Sequence, residues 1–275
     1  MLTQVDVINS RSMTLSLPLG DISNGYLLSN LEGLDPVKAT IVTTSFASMD
    51  GTQEQAVKRE ARNLIFHISF KPDYASVDTT AGELRNALYS WFMPKSKITM
   101  RFHSTDKPDV TIQGTVETFP SPLFTAQPSA SISVMCVLPD FIPDDISVFN
   151  GNTVTGTTET ILTYNGTVDT GFIFRMPITA TSSGFTIYHR SADDTLSSLQ
   201  FSANLLSGDT VTINTTPGQK AATLTRGGSD TSILYGVSPF SKWLTLDPGD
   251  NFIRVVQGGV AMPYSIQYSE RYGAL

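Results

Sequence analysis

WLTLDPGDNFIRVV, residues 243–256, is the stretch whose reading decides the fold. Apolar residues flank Asp247-Pro248-Gly249-Asp250, and no side chain in the stretch is an obvious catalyst. Proline at the second turn position presets φ, and glycine at the third accepts the positive φ of a type II turn. The stretch therefore predicts two strands joined by a tight reversal. LSGDTVTI, residues 206–213, repeats the theme: a leucine, the pair Gly208-Asp209, then an alternating run.

Working outward, the whole second half is built of such pieces. TYNGTVDTG, FTIYHRS, KAATLTRGG and YSIQYSERY are short strand-like runs separated by Gly-rich turns. That spacing is the one of a β-sandwich, and beyond residue 140 no helix is expected. The first half alternates as well. LIFHISF (64–70) puts Leu64, Phe66, Ile68 and Phe70 on one face, and KITMRFH (97–103) does the same with Ile98, Met100 and Phe102. SISVMCVL (131–138) places Ile132, Val134, Cys136 and Leu138 together.

One helix interrupts these strands. In TTAGELRNALYSWFMP, Thr80 and Glu83 form a capping-box pattern, and Pro94 stops the helix, expected over about 80–93. Leu84, Ala87, Leu88 and Trp91 follow at helical spacing and predict a stripe packed on the sheet. The acidic, proline-containing LPDFIPDDISVFNGN (138–152) marks a change of composition, so the domains are expected at 1–139 and 140–275. The fold class is mainly β: an N-terminal β-sandwich with one packed α-helix, then a second β-sandwich.

Composition narrows the function. Charged residues make up 16% of the 275 residues and apolar ones 40%, enough to build real cores. The net charge of −7 divides as −2 over residues 1–139 and −5 over residues 140–275, so neither half carries the basic footprint of sequence-independent nucleic-acid binding. The single cysteine, Cys136, excludes an intrachain disulfide and a multi-cysteine zinc site, and reads as a small buried apolar residue. No apolar run approaches the ~20 residues of a bilayer span, and no leader pattern opens the chain. A soluble protein made in a cytoplasm, with no leader of its own and no membrane insertion, is expected. The sequons at Asn165 and Asn214 carry no weight in so Thr-rich a chain.

A search for chemistry returns little. His67, His103 and His189 lack metal-ligand spacing, and no nucleophile elbow, P-loop or dinucleotide fingerprint occurs. Gly227-Gly228 and Gly258-Gly259 read as hairpin tips. Asp193-Asp194 and Asp247/Asp250 are the carboxylates nearest to an acid/base pair for glycoside cleavage, but in turns they read as turn formers. Trp243, Tyr188, Tyr235, Tyr264 and Tyr268 supply aromatics for a sugar platform, although alternation sends several to core strands. No catalytic residue, metal or cofactor is expected.

The order of the pieces is more specific than any one of them. It resembles the C-terminal part of phage distal tail proteins, the Dit family of long-tailed phages. Asn165, Gly166, Gly171, Gly208, Asp209, Leu246, Pro248, Gly249, Asn251, Arg271 and Tyr272 carry the match, as structural turn residues. LEGLDPVKATIV (31–42), Met49-Asp50-Gly51, a basic stretch, a long strand and the helix resemble, more loosely, the family's tail-tube-like ring domain. The resemblance implies a hexameric homo-oligomer, a ring at the virion tail tip or baseplate, assembled in the host cytoplasm. It implies a tail tube protein on one side and a Tal-like tail-tip hub protein (tail-associated lysin) on the other. It further implies a galectin-like C-terminal domain that often carries receptor-binding protein or other tip components, and DNA that passes through the ring without specific binding. Subunit contacts are then expected from edge strands and loops of residues 1–139. With no large inserted arm, the chain reads as a compact adaptor. The galectin sugar motif His-x-Asn-x-Arg is missing, and Trp243 is followed by Leu-Thr-Leu. The rival reading from the residues is a carbohydrate-binding module on 140–275; a glycoside hydrolase comes third.

Overall fold

The computed structural model describes residues 1–47, 50–75, 79–122, 125 and 127–275. It is mainly β, and its chain divides into two compact units, Met1–Asp144 with Tyr272–Leu275, and Asp145–Arg271.

The first unit contains β1 (Leu2–Asn9), β2 (Thr14–Pro18), β3 (Tyr26–Glu32), β4 (Ala39–Thr44), β5 (Gln53–Arg59) and β6 (Arg62–Phe70). A short helix α1 (Pro72–Ala75) and the longer α2 (Ala81–Phe92) precede β7 (Lys97–Ser104), β8 (Val110–Thr118), β9 (Ser129–Cys136) and β10 (Ile142–Pro143). Strands β2-β1-β7-β8-β9-β6-β3 form one antiparallel sheet in that order, with β10 added to β8. The end strands β2 and β3 touch, so the sheet curls around its core. Period-two alternation fills that core as expected, with Leu64, Phe66, Ile68, Ile98, Met100, Phe102, Ile132, Val134 and Cys136 all buried.

Two details differ from the sequence reading. Leu138 is 70% exposed, because β9 ends at Cys136 and the chain leaves the sheet there. On α2 the capping box of Thr80 and Glu83 forms, but the buried stripe is Leu84, Leu88 and Phe92. Trp91 is half-buried and packs against the same core as expected, whereas Ala87 is exposed, since a stripe stepping by four from Leu84 reaches Phe92 and passes Ala87 by. Met49, part of the resemblance, lies outside the described residues.

The second unit is a sandwich of two antiparallel sheets. Its strands are β11 (Ser147–Asn152), β12 (Thr160–Tyr164), β13 (Ile173–Pro177), β14 (Ser182–Arg190), β15 (Leu196–Leu205), β16 (Thr210–Asn214), β17 (Ala221–Arg226), β18 (Ser229–Ser232), β19 (Gly249–Val256) and β20 (Pro263–Tyr268). The sheet β11-β20-β13-β16-β17-β18 faces the sheet β12-β19-β14-β15. Phe174 of the first meets Phe185 of the second at 5.4 Å between ring centres, within a single core. WLTL, expected as a strand, pairs only through Leu246, which exchanges both backbone hydrogen bonds with Thr170. The segment before it instead lies along the edge of β15, where Ser238 and Lys242 donate to the Gln200 and Ser198 carbonyls.

Candidate functional site

The residues singled out in the second unit gather around three backbone turns. At the first, Gly249 has φ +96°, the left-handed conformation the turn reading demands. Asn251 is fully buried beneath it. Its Oδ1 accepts from the Asp247 amide at 2.9 Å, and its Nδ2 donates to the carbonyls of Asp247 and Gly249 at 2.8 and 3.0 Å. His189 Nε2 lies 2.8 Å from the same Oδ1. Four polar groups thus close on one amide side chain and satisfy it from within the protein.

At the second turn, Asp209 is buried and accepts from the Leu206 amide at 2.7 Å and from Arg226 Nε and Nη2 at 2.8 and 2.6 Å. The Arg226 guanidinium holds this carboxyl below the usual carboxylate range, and the Leu206 amide adds to that effect. Gly208 donates to the Ile178 carbonyl at 2.9 Å, tying the same turn to the end of β13.

At the third, Tyr164 donates its hydroxyl to the Val168 carbonyl at 2.7 Å and accepts from the Arg271 amide at 2.9 Å. Burial pushes this phenol up to about 12. Gly166 lies against the Tyr164 ring, and Asn165 donates to Glu270 at 3.3 Å. Gly171 sits so close to the Thr216 backbone that a Cβ there would collide with it. Tyr272 belongs to the first unit, where it exchanges backbone bonds of 3.0 and 2.9 Å with Phe141.

The groups considered for chemistry stay apart. His67 meets Glu32 at 3.0 Å, His103 bridges Asp6 and Asp109, and His189 is buried on Asn251. Burial disfavours charge on His103, but the two carboxylates outweigh it and raise its pKa. Among the described residues no three metal-ligating side chains come together, and no helix is long and apolar enough to cross a membrane. Asp193 accepts from Ser191 and the Thr195 amide, Asp194 pairs with Arg190, and Asp250 accepts from Thr163. Each serves its own turn or strand.

Of the five aromatics, four are occupied by neighbours. Lys220 lies over Trp243 at 5.5 Å and Arg254 over Tyr188 at 4.4 Å, while Tyr264 is buried on Phe174 and Tyr268 packs on Tyr164. Tyr235 alone is open, at 82% exposure.

Two features of the first unit escape sequence reading. Arg62 is buried, stacks on Phe141 at 4.5 Å, and donates to the carbonyls of Gly33, Asp35, Pro139 and Gly273. The other is the two-stranded sheet β4-β5, which pairs with no other strand among the described residues. Every residue of β4 is exposed, and in β5 only Ala56 is half-buried. Ile41, Val42 and Val57 thus face solvent, with Ile41 at 58% and Val57 at 50%.

Comparison with known proteins bears on this architecture. Residues 165–272 match the family described as siphovirus-type tail component, C-terminal domain. The structure is similar to the crystal structure of the Dit protein (gp 19.1) of phage SPP1, described as a paradigm of hub adsorption apparatus in Gram-positive infecting phages. The two share 14% identity over 97% of this chain and 98% of that one, with a TM-score of 0.66. A chain of the phage P2 baseplate in its activated conformation with calcium aligns over 97% of this chain and 98% of that one, at 8% identity and a TM-score of 0.46. No curated protein matches the sequence.

Proposed function

We propose that this chain, whose residues 165–272 match the siphovirus-type tail component family, is a Dit-like protein that forms a hexameric ring at the tip of a phage tail. In this reading it is a structural hub, with residues 1–139 forming the ring and residues 140–275 forming a galectin-like domain. The ring joins the tail tube to a Tal-like tip protein and anchors receptor-binding or other adsorption components. Its place is the virion tail tip, after assembly in the host cytoplasm.

The exposed hairpin β4-β5 carries the proposal. A two-stranded ribbon with no third strand and no core against it is marginal in water. This one also presents Ile41, Val42 and Val57 to solvent. A neighbouring copy that covers those residues removes both costs. A contact between two different surfaces of the same chain closes into a ring when its rotation allows. The description of the SPP1 protein as part of a hub adsorption apparatus supports the same role.

The chain then has no catalytic task, in keeping with carboxylates and histidines committed to local contacts. The net charge of −7 suits a channel that DNA traverses without adhering. Glycan binding by residues 140–275 is the weaker reading, because guanidinium and ammonium groups already cover the faces of Tyr188 and Trp243. Native mass measurement tests the proposal: a closed ring is expected, and a stable monomer that binds glycans would replace the hub with a lectin.

A further inference from the structure

The outer face of the sheet β12-β19-β14-β15 carries two guanidinium–aromatic stacks, side by side, and they differ in one respect. Register places Arg190 opposite Phe252 and Tyr188 opposite Arg254 on adjacent strands. Arg190 lies over the Phe252 ring at 4.0 Å, and Arg254 over the Tyr188 ring at 4.4 Å. Arg190 is closed: Glu159 takes its Nε and Nη2, the latter at 2.6 Å, and Asp194 takes Nη1 at 2.6 Å. Arg254 is open. Its guanidinium makes no hydrogen bond or ion pair among the described residues; Nε is shut off from solvent without an acceptor, while the side chain as a whole is half-buried. Glu159 feels the charge of Arg254, but its oxygens are already committed to Arg190.

We propose that this face is a protein-docking surface, and that Arg254 receives a carboxylate from an acidic side chain of the partner. A guanidinium held flat on a ring keeps its fork of donors fixed, which suits planar, two-point recognition of a carboxylate. The surroundings favour a protein over a sugar. Ile161 and Leu196 stand exposed at either end of the row that holds Phe252 and Arg190. Arg, Tyr and Phe beside exposed aliphatic residues make the composition of an interface centre. A sugar needs a bare aromatic face, and both rings here are covered. The partner is therefore a protein segment with Asp or Glu set among apolar residues. Its identity as an adsorption component rests on the hub reading; the surface itself does not.

The probe is a displayed library of random twelve-residue peptides selected on the full chain. The expected result is enrichment of peptides with a carboxylate next to aliphatic or aromatic residues. Their affinity should fall about tenfold or more in Arg254→Gln and stay unchanged in Lys242→Ala. Arg254→Glu, selected afresh, should prefer basic peptides, and that reversal separates recognition from loss of fold, as does an unchanged melting temperature. Peptides without carboxylates, equal binding to Arg254→Gln, no enrichment, or binding only to immobilised uronate-bearing oligosaccharides would each overturn the proposal. Native mass is measured in parallel. A monomer that still selects acidic peptides removes the hub reading and leaves the surface, and a ring that selects none does the reverse.

Discussion

The turn at Asp247–Asn251 and the hairpin β4-β5 are both chain reversals, and they differ in where their needs are met. The turn closes on itself: Asn251 is fully buried and joins four polar groups. The hairpin pairs with no third strand among the described residues; Arg59 at its end holds Asp140, but Ile41 and Val57 stay in solvent. A feature satisfied from within holds one unit together, whereas one left unsatisfied marks where another molecule belongs. The first therefore governs stability and the second assembly.

Substitutions that strike internally satisfied features should lower stability in proportion to the buried groups they strand. Asn251→Ala leaves the Asp247 amide, two carbonyls and His189 without their shared partner. It should cost on the order of 3 kcal/mol in urea unfolding; an effect within experimental error would break the contrast.

Asp209→Asn comes next, at about 2 kcal/mol near neutral pH, since it weakens charge-assisted bonds to Arg226. Its pH dependence has a definite sign. The folded carboxyl titrates below the usual carboxylate range, so its stabilisation is complete above the unfolded value. It is lost as pH falls through the lower folded-state value. The variant should therefore show a shallower loss of stability in acid than the parent. Gly249→Ala should cost about 1 kcal/mol from backbone strain alone, because open space surrounds the position.

Much of this was legible in the sequence, for local reasons. Alternation in LIFHISF and KITMRFH is a property of adjacent residues, and the Thr80–Glu83 box spans one helical turn. Phe92 was missed as core because the choice between Trp91 and Phe92 depends on which side of α2 meets the sheet. ATIVTT reads as an ordinary strand, and only the completed sheet order shows that no strand but β5 pairs with it among the described residues. Arg62 looks like a surface charge until residues 33, 35, 139 and 273 converge on it. The Arg254–Tyr188 stack joins residues far apart in the chain through strand register, which no local pattern encodes.

The central claim is that β4-β5 is left bare for a neighbouring copy. Native mass spectrometry of the parent chain and of the double variant Ile41→Ser/Val57→Ser tests it most directly. Both side chains are exposed, so the melting temperature should be preserved, with each change within about 0.5 kcal/mol. The account predicts a ring for the parent and monomers for the folded variant. A variant that assembles as fully as its parent, or a parent that stays monomeric, would contradict it.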